Sequence, residues 1–337
     1  MSTKKRIFYL DELRMLAILA VMLCHIDNMY PYVTTSLKAA IPYFLTAFGR
    51  IGVPLFLMLS GALLLNRDYE LGFFLKKRFS RILIPFIFWV IVIAIFQFTL
   101  LAVPMDETIK WMMGSGVTWY VYELIGAYLF LPVVNAFILK YGENAAKYFI
   151  VLWAVVLLFK TFHVYPISHL KLGYFAGFIG YMVFGHYLFT HKFNFTAGKM
   201  MILSIILFVA FYIINCANCF INDYFFDYMT IVLALQTAGI FLFFRYAEEY
   251  SNDNKTSVVG RIGNFIQGKF GKAITSISVC SYGMYFTHTV FYMVIKKFHF
   301  TSIKLIPVLF VILVVLSWAM AYICSRIPLL DKVSGVK

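Results

Sequence analysis

Residues Lys4–Tyr30 read KKRIFYLDELRMLAILAVMLCHIDNMY. The stretch predicts one apolar helix of membrane-spanning length carrying two groups that such a helix ordinarily excludes, Arg14 and His25. Their spacing of eleven residues turns roughly 20° past three full turns, so both side chains leave the same face, about 16 Å apart along the axis. Ionisable groups at membrane depth are costly and face a protein interior or a wet cavity. Asp11, three residues before Arg14, is placed to pair with it on that face. The inert alternative has Arg14 snorkelling to the headgroups and His25 hydrogen-bonded near the opposite interface.

Composition sets the class. Of 337 residues 62% are hydrophobic and 13% charged, against about 25% charged in soluble domains. This is the balance of an integral membrane protein, with the lipid bilayer as its first partner. A net charge of +14 would suit nucleic acid, but Lys and Arg stand at the ends of apolar runs instead of forming one stripe, so no nucleic-acid partner is expected. The first apolar run is too long for a signal peptide and lacks a small-residue cleavage site. Cys24, Cys280 and Cys324 fall inside apolar runs, where cysteine packs as a small hydrophobe. Cys216 and Cys219 form a lone C-x-x-C, which leaves a disulfide open beside ordinary packing.

Ten segments are long enough to span: Tyr9–Asn28, Tyr43–Leu65, Ile82–Val103, Trp119–Leu139, Tyr148–Tyr165, Leu172–Phe189, Met200–Asn218, Phe225–Phe244, Ile274–Ile295 and Ile306–Cys324. The break between the seventh and eighth is short enough to be a kink. With the N-terminus inside, the inner segments hold 20 Lys and Arg and the outer ones 7. That bias places both termini in the cytoplasm. The expectation is an all-α, polytopic helix bundle of about ten transmembrane helices, forming a single domain over residues 1–337 with no appended soluble domain. Residues 245–272 are the longest polar stretch, too poor in apolar residues to fold alone.

Arg50 lies in the outer half of the second span, at the depth of His25, in a run punctuated by Gly49, Gly52, Pro54 and Gly61. Such small residues let helices approach closely or open a cavity, where an arginine either binds an anionic or polar acceptor group or reaches up to the outer headgroups. The inner loop KKRFSRILIP brings Lys77, Arg78 and Arg81 together. Clusters of this kind serve topology and anionic lipid, and equally suit the phosphates of a cytosolic donor. Glu123 is a carboxyl a few residues into the fourth span, suited to an ion pair or a proton path. His288 lies deep in an apolar run and is the second candidate for chemistry. His163, His169, His186, His191 and His299 lack metal-ligand spacing, and no metal is expected.

Taken in order, these stretches resemble the acyltransferase-3 family of bacterial membrane acyltransferases. YLDELRMLAILAVMLCH resembles the family's opening motif of Arg, ten residues, then His, matched by Arg14 and His25. GVPLFLMLSGALLL is similar to its second span, and KKRFSRILIPFIFW to its inner basic loop, whose R-x-x-R pair falls on Arg78 and Arg81. TWYVYELIGAYLFLPVV resembles its fourth span, and SVCSYGMYFTH its late S-[FY]-G-x-Y-x-x-H segment, ending on His288. The family's opening often reads LDGLRG; here Glu12 and Met15 replace both glycines, which changes the packing at that corner. The resemblance implies an O-acyltransferase of the bacterial cytoplasmic membrane. Its implied donor is acetyl-CoA, and its acceptor a hydroxyl of a cell-envelope glycan or glycolipid. His25 is then the base or the acyl acceptor, with Arg14 and His288 beside it in the catalytic set. Lys77, Arg78 and Arg81 face the donor; Arg50, Glu123 and Asp11 serve the substrate. The competing class is a carrier of polysaccharide or lipid-linked sugar with the same spans and no transferase chemistry.

Overall fold

The computed structural model describes residues 6–27, 29, 40–114, 118–162, 172, 177–219, 227–298 and 302–336. Every regular element among them is helical, as a lipid-embedded chain requires: only helices and closed barrels satisfy all backbone polar groups without water. The chain is an all-α, polytopic helix bundle.

Helix α1 (Phe8–Asp27) runs through the middle, with Leu13, Ala17, Ile18, Ala20 and Met22 fully buried. It touches α2 (Ile41–Gly49), α3 (Gly52–Leu64), α10 (Ile231–Asp253), α11 (Val258–Lys297) and α12 (Ile306–Cys324). Between these lie α4 (Leu71–Leu100), α5 (Met105–Met112), α6 (Trp119–Tyr141), α7 (Glu143–Thr161), α8 (Ile179–Thr190) and α9 (Ala197–Cys219). The expected second span is two helices, α2 and α3, joined at Arg50 and Ile51. Gly49 and Gly52 lie against α1, where a Cβ would stand 2.5 Å from the Cys24 sulfur and 2.6 Å from the Ala17 carbonyl. This contact sets Arg50 beside the C-terminal half of α1.

Among the described residues seven helical segments are long and apolar enough to cross a membrane: Ile41–Leu64, Leu71–Leu100, Trp119–Tyr141, Glu143–Thr161, Ala197–Ala217, Ile231–Asp253 and Ile303–Cys324. The other three expected spans fall on α1, α8 and α11, each less apolar or shorter for a visible reason. Helix α1 carries Asp11, Glu12 and Arg14, α8 has 12 residues, and the first half of the 40-residue α11 is polar. The seventh and eighth expected spans are not one kinked helix. They are α9 and α10, packed antiparallel, with the Asn215 amide 3.0 Å from Gln236 and Gly239 against the Phe208 backbone. The polar residues 245–272 are largely helix, extending α10 to Asp253 and starting α11 at the Ser257 cap.

After α12 the chain turns back through α13 (Leu330–Val333) onto α4 and α11. The Trp89 indole donates to the Val333 carbonyl at 3.0 Å. Ser334 is fully buried, and its carbonyl would lie 2.4 Å from a Cβ on Gly283. Gly335 takes φ +73°, a conformation that side chains with a Cβ resist.

Candidate functional site

Two polar clusters lie at different heights of α1, joined by tyrosines. The first is built on its opening turns. Asp11 is 4% exposed. Its carboxylate accepts from the Arg6 guanidinium through two bonds and from the Ser278 hydroxyl of α11 at 2.7 Å, with Arg14 at 3.8 Å. Arg14 also reaches the Ser278 oxygen at 3.4 Å. A buried carboxylate needs such partners, and here they fix the direction in which Arg14 leaves the helix. Arg6, outside the span, is made still more basic by Asp11.

Arg14 of α1 and Arg78 of α4 both lie within electrostatic range of the Tyr128 phenol of α6. That phenol donates to the Ser60 hydroxyl at 3.2 Å, and Ser60 donates to the Phe56 carbonyl at 2.9 Å. The Arg78 guanidinium stands 5.9 Å over the Phe74 ring, on which Tyr69 stacks at 4.3 Å. Burial pushes the Tyr69 phenol up, and the Arg78 charge opposes the shift. Arg67, bonded through its backbone to the Asn135 amide, adds a further nearby charge. The structure thus divides the R-x-x-R pair. Arg78 turns in and is half-buried, whereas Arg81 is exposed, as is Lys77, whose ammonium lies 5.1 Å over Phe73.

The second cluster sits where α1 ends. The rings of His25 and His288 have centroids 5.0 Å apart, tilted by 41°. Helix periodicity placed both at membrane depth, and only the resemblance put them in one catalytic set. His288 is fully buried, and its Nδ1 lies 3.0 Å from the Met284 carbonyl. A carbonyl only accepts, so Nδ1 carries the proton and Nε2 holds a lone pair. That Nε2 is buried with no hydrogen-bond partner among the described residues. Tyr292 stands 5.6 Å from His25 and Tyr285 stands 5.8 Å from His288.

These side chains belong to a closed ring of neighbours. From His288 it passes through Tyr285 to Tyr120 at 5.5 Å, on to Trp119 at 6.1 Å and Tyr228 at 5.1 Å. It returns through Arg50, whose guanidinium lies 4.9 Å over the Tyr228 ring and within electrostatic range of His25. Tyr228 is held by its carbonyl, which accepts from the Tyr181 hydroxyl at 2.6 Å. The ring combines two imidazoles, one guanidinium and aromatic faces, a set suited to moving a proton beside a polar substrate.

Glu123 joins neither cluster: it is exposed on α6, with Lys160 as the charge that acts on it. His186 is buried, and His191 pairs with Glu143 at 3.0 Å, remote in sequence from both clusters. Cys216 is a free buried thiol. His163, His169 and His299 lie outside the described residues, as does the side chain of Cys219. Among the described residues no three His, Cys, Asp or Glu gather as a metal site. Sequence reading missed Ser278, Ser60, Tyr128, Tyr120 and Tyr228. For Tyr285 and Tyr292 a signal existed, since they stand three before and four after His288 on one helical face.

No curated protein matches the chain, and no solved structure does. A family model described as an acyltransferase domain matches residues 7–326.

Proposed function

The chain belongs to that acyltransferase family and is a membrane acyltransferase, and from this premise we propose that it moves an acetyl group from cytosolic acetyl-CoA to a hydroxyl of a cell-envelope glycan or glycolipid. It does so in the cytoplasmic membrane of a bacterium, with ten crossings and both termini inside. The observation that carries the reading is the meeting of His25, which shares its helix face with Arg14, and His288 of α11, their rings 5.0 Å apart.

In this reading Arg14 and Arg78 receive the phosphates of the donor, where paired guanidinium donors are strongest. The acetyl thioester extends along the tyrosines toward the histidines, about 16 Å further along α1, a distance an extended pantetheine arm covers. The acceptor enters from the opposite side, past Arg50 and Tyr228. His25 takes the hydroxyl proton as the oxygen attacks the thioester carbonyl, or first accepts the acetyl group itself. His288, its tautomer set by Met284, holds a second nitrogen lone pair in the same space. The C–O bond forms, the C–S bond breaks, and the coenzyme A thiolate leaves with the proton.

The test is direct. Purified protein in detergent, given acetyl-CoA and a membrane extract as acceptor, should release coenzyme A thiol and acetylate the extract. Binding of acceptor with no thioester loss would instead identify a carrier.

A further inference from the structure

Two buried amides of the bundle, Gln236 and Asn135, are satisfied at both ends. Gln236 accepts from Asn215 and donates to the Ala47 carbonyl, each at 3.0 Å, and Asn135 bonds both backbone groups of Arg67. Gln97, 5% exposed near the end of α4, departs from this pattern. Its Oε1 has no hydrogen-bond partner among the described residues, and its Nε2 meets the Met293 sulfur, a weak acceptor, at 3.9 Å. Thr289 departs in the same way. The buried Thr161, Thr237 and Thr287 each donate to the carbonyl four residues back, the ordinary solution inside a helix. The Thr289 hydroxyl is fully buried and has no partner among the described residues. A buried polar group left unbonded lowers stability, so such groups are rare and call for a reason.

Their position supplies one. At about 100° per residue, Thr289 stands about 100° round α11 from His288 and Met293 about 140°. Thr289 therefore lies between the face that carries His288 and the face that meets Gln97, and Met293 is about 7.5 Å beyond His288 along the axis. Together with His288 Nε2, Thr289 and Gln97 make a strip of unsatisfied polar atoms. It runs from the histidine pair toward the end that α4 and α11 share, where Lys297 donates to the Leu100 carbonyl at 3.1 Å. We propose that Gln97 and Thr289 are acceptor-binding residues, which hold the hydroxyls neighbouring the reacting one on a polyhydroxylated, sugar-like acceptor. The assignment rests on the acyl-transfer reading. With the reacting hydroxyl at the histidines, the Thr289 hydroxyl bonds the nearer neighbour, and the Gln97 carboxamide accepts from one further group and donates to another. An acceptor with a single hydroxyl on an apolar chain leaves both residues unpaired, which is how such a site rejects it.

The test varies the acceptor. Thiol release is followed with the glycolipid fraction of a membrane extract and with octanol, which offers one hydroxyl. Gln97→Leu and Thr289→Val remove the polar groups with little change of shape. Each should raise the half-saturating glycolipid concentration about 10-fold, leaving the slow octanol reaction and the KM for acetyl-CoA unchanged. Thr289→Ser keeps the hydroxyl and should stay within about threefold of wild type. Apparent melting temperature should hold or rise in the Leu and Val variants, because an unbonded buried group is lost. Unchanged half-saturation in either of them would mean that the group holds only buried water, and overturns the assignment. So does a loss that follows a fallen melting temperature, or a wild type that acetylates octanol as readily as glycolipid. A protein that releases no thiol with either acceptor overturns the transferase reading itself, and the assignment with it.

Discussion

The imidazoles of His25 and His288 come from opposite ends of the chain and meet 5.0 Å apart inside the bundle. Helix α11 achieves this by packing along α1, tied to it by the Ser278–Asp11 hydrogen bond of 2.7 Å. The same bond that orients Arg14 therefore sets the register of α11, and His288 follows ten residues on. The Asp11–Arg14 cluster and the histidine pair share one mechanical frame.

Replacement of either histidine tests whether the pair works as a unit. His25→Gln and His288→Gln keep hydrogen-bonding capacity but carry no proton at neutral pH. Each should lower acetyl transfer by about 10²- to 10⁴-fold, with acetyl-CoA binding retained. The double variant should lose little more than the worse single one, as groups that act together are non-additive. If His25→Gln transfers at near wild-type rate while His288→Gln does not, the base is His288 and the transferase reading stands with its centre on α11.

Arg78 and Arg81, expected in a loop but held in helix α4, should behave differently. Arg78 is half-buried near Tyr128, whereas Arg81 is exposed. Loss of a charged contact to phosphate costs about 1.5–3 kcal/mol, roughly 10- to 150-fold in affinity. Arg78→Ala should weaken acetyl-CoA binding by that factor, measured by calorimetry in detergent, and Arg81→Ala should leave it nearly unchanged. Equal effects would place both arginines on the donor.

Orientation follows from the charge bias of 20 to 7 between the two sides. Reporter fusions after Lys199 and Lys337 should read cytoplasmic and one after Lys110 external. A cytoplasmic signal at Lys110 would invert the sides to which donor and acceptor are assigned.

The helices were legible because apolar runs in lipid have no other way to satisfy their backbones, and the shared face of Arg14 and His25 followed from a spacing of eleven. What stayed hidden depended on neighbours in space. Arg78 and Arg81 are three residues apart, about 60° on a helix, enough to turn one toward α6 and the other outward. Among the 23 tyrosines of the chain, no local pattern separates Tyr128 or Tyr228 from one that merely packs. Residues 245–272 read as too polar to fold alone, yet they extend helices already anchored in the bundle, which supply the packing that the stretch itself lacks.

The returning segment after α12 lies beyond the residues matched by the family model, yet it is packed as part of the bundle. Its hold has three parts: the Trp89–Val333 hydrogen bond, the approach of Ser334 to Gly283, and the positive φ of Gly335. Trp89→Phe leaves the Val333 carbonyl unbonded, at a cost of about 1–3 kcal/mol. Gly283→Val must displace the Ser334 carbonyl, and overpacking of this kind costs about 1–3 kcal/mol or more. Gly335→Ala strains the turn by about 1–2 kcal/mol. All three should lower the apparent melting temperature and speed hydrogen exchange at Ser334 and Val336. Gly283 adjoins Met284, whose carbonyl holds His288, so Gly283→Val should also reduce transfer more than Gly335→Ala does. Wild-type melting and exchange in all three would mean that the segment only rests on the bundle and that the set of His288 is independent of it.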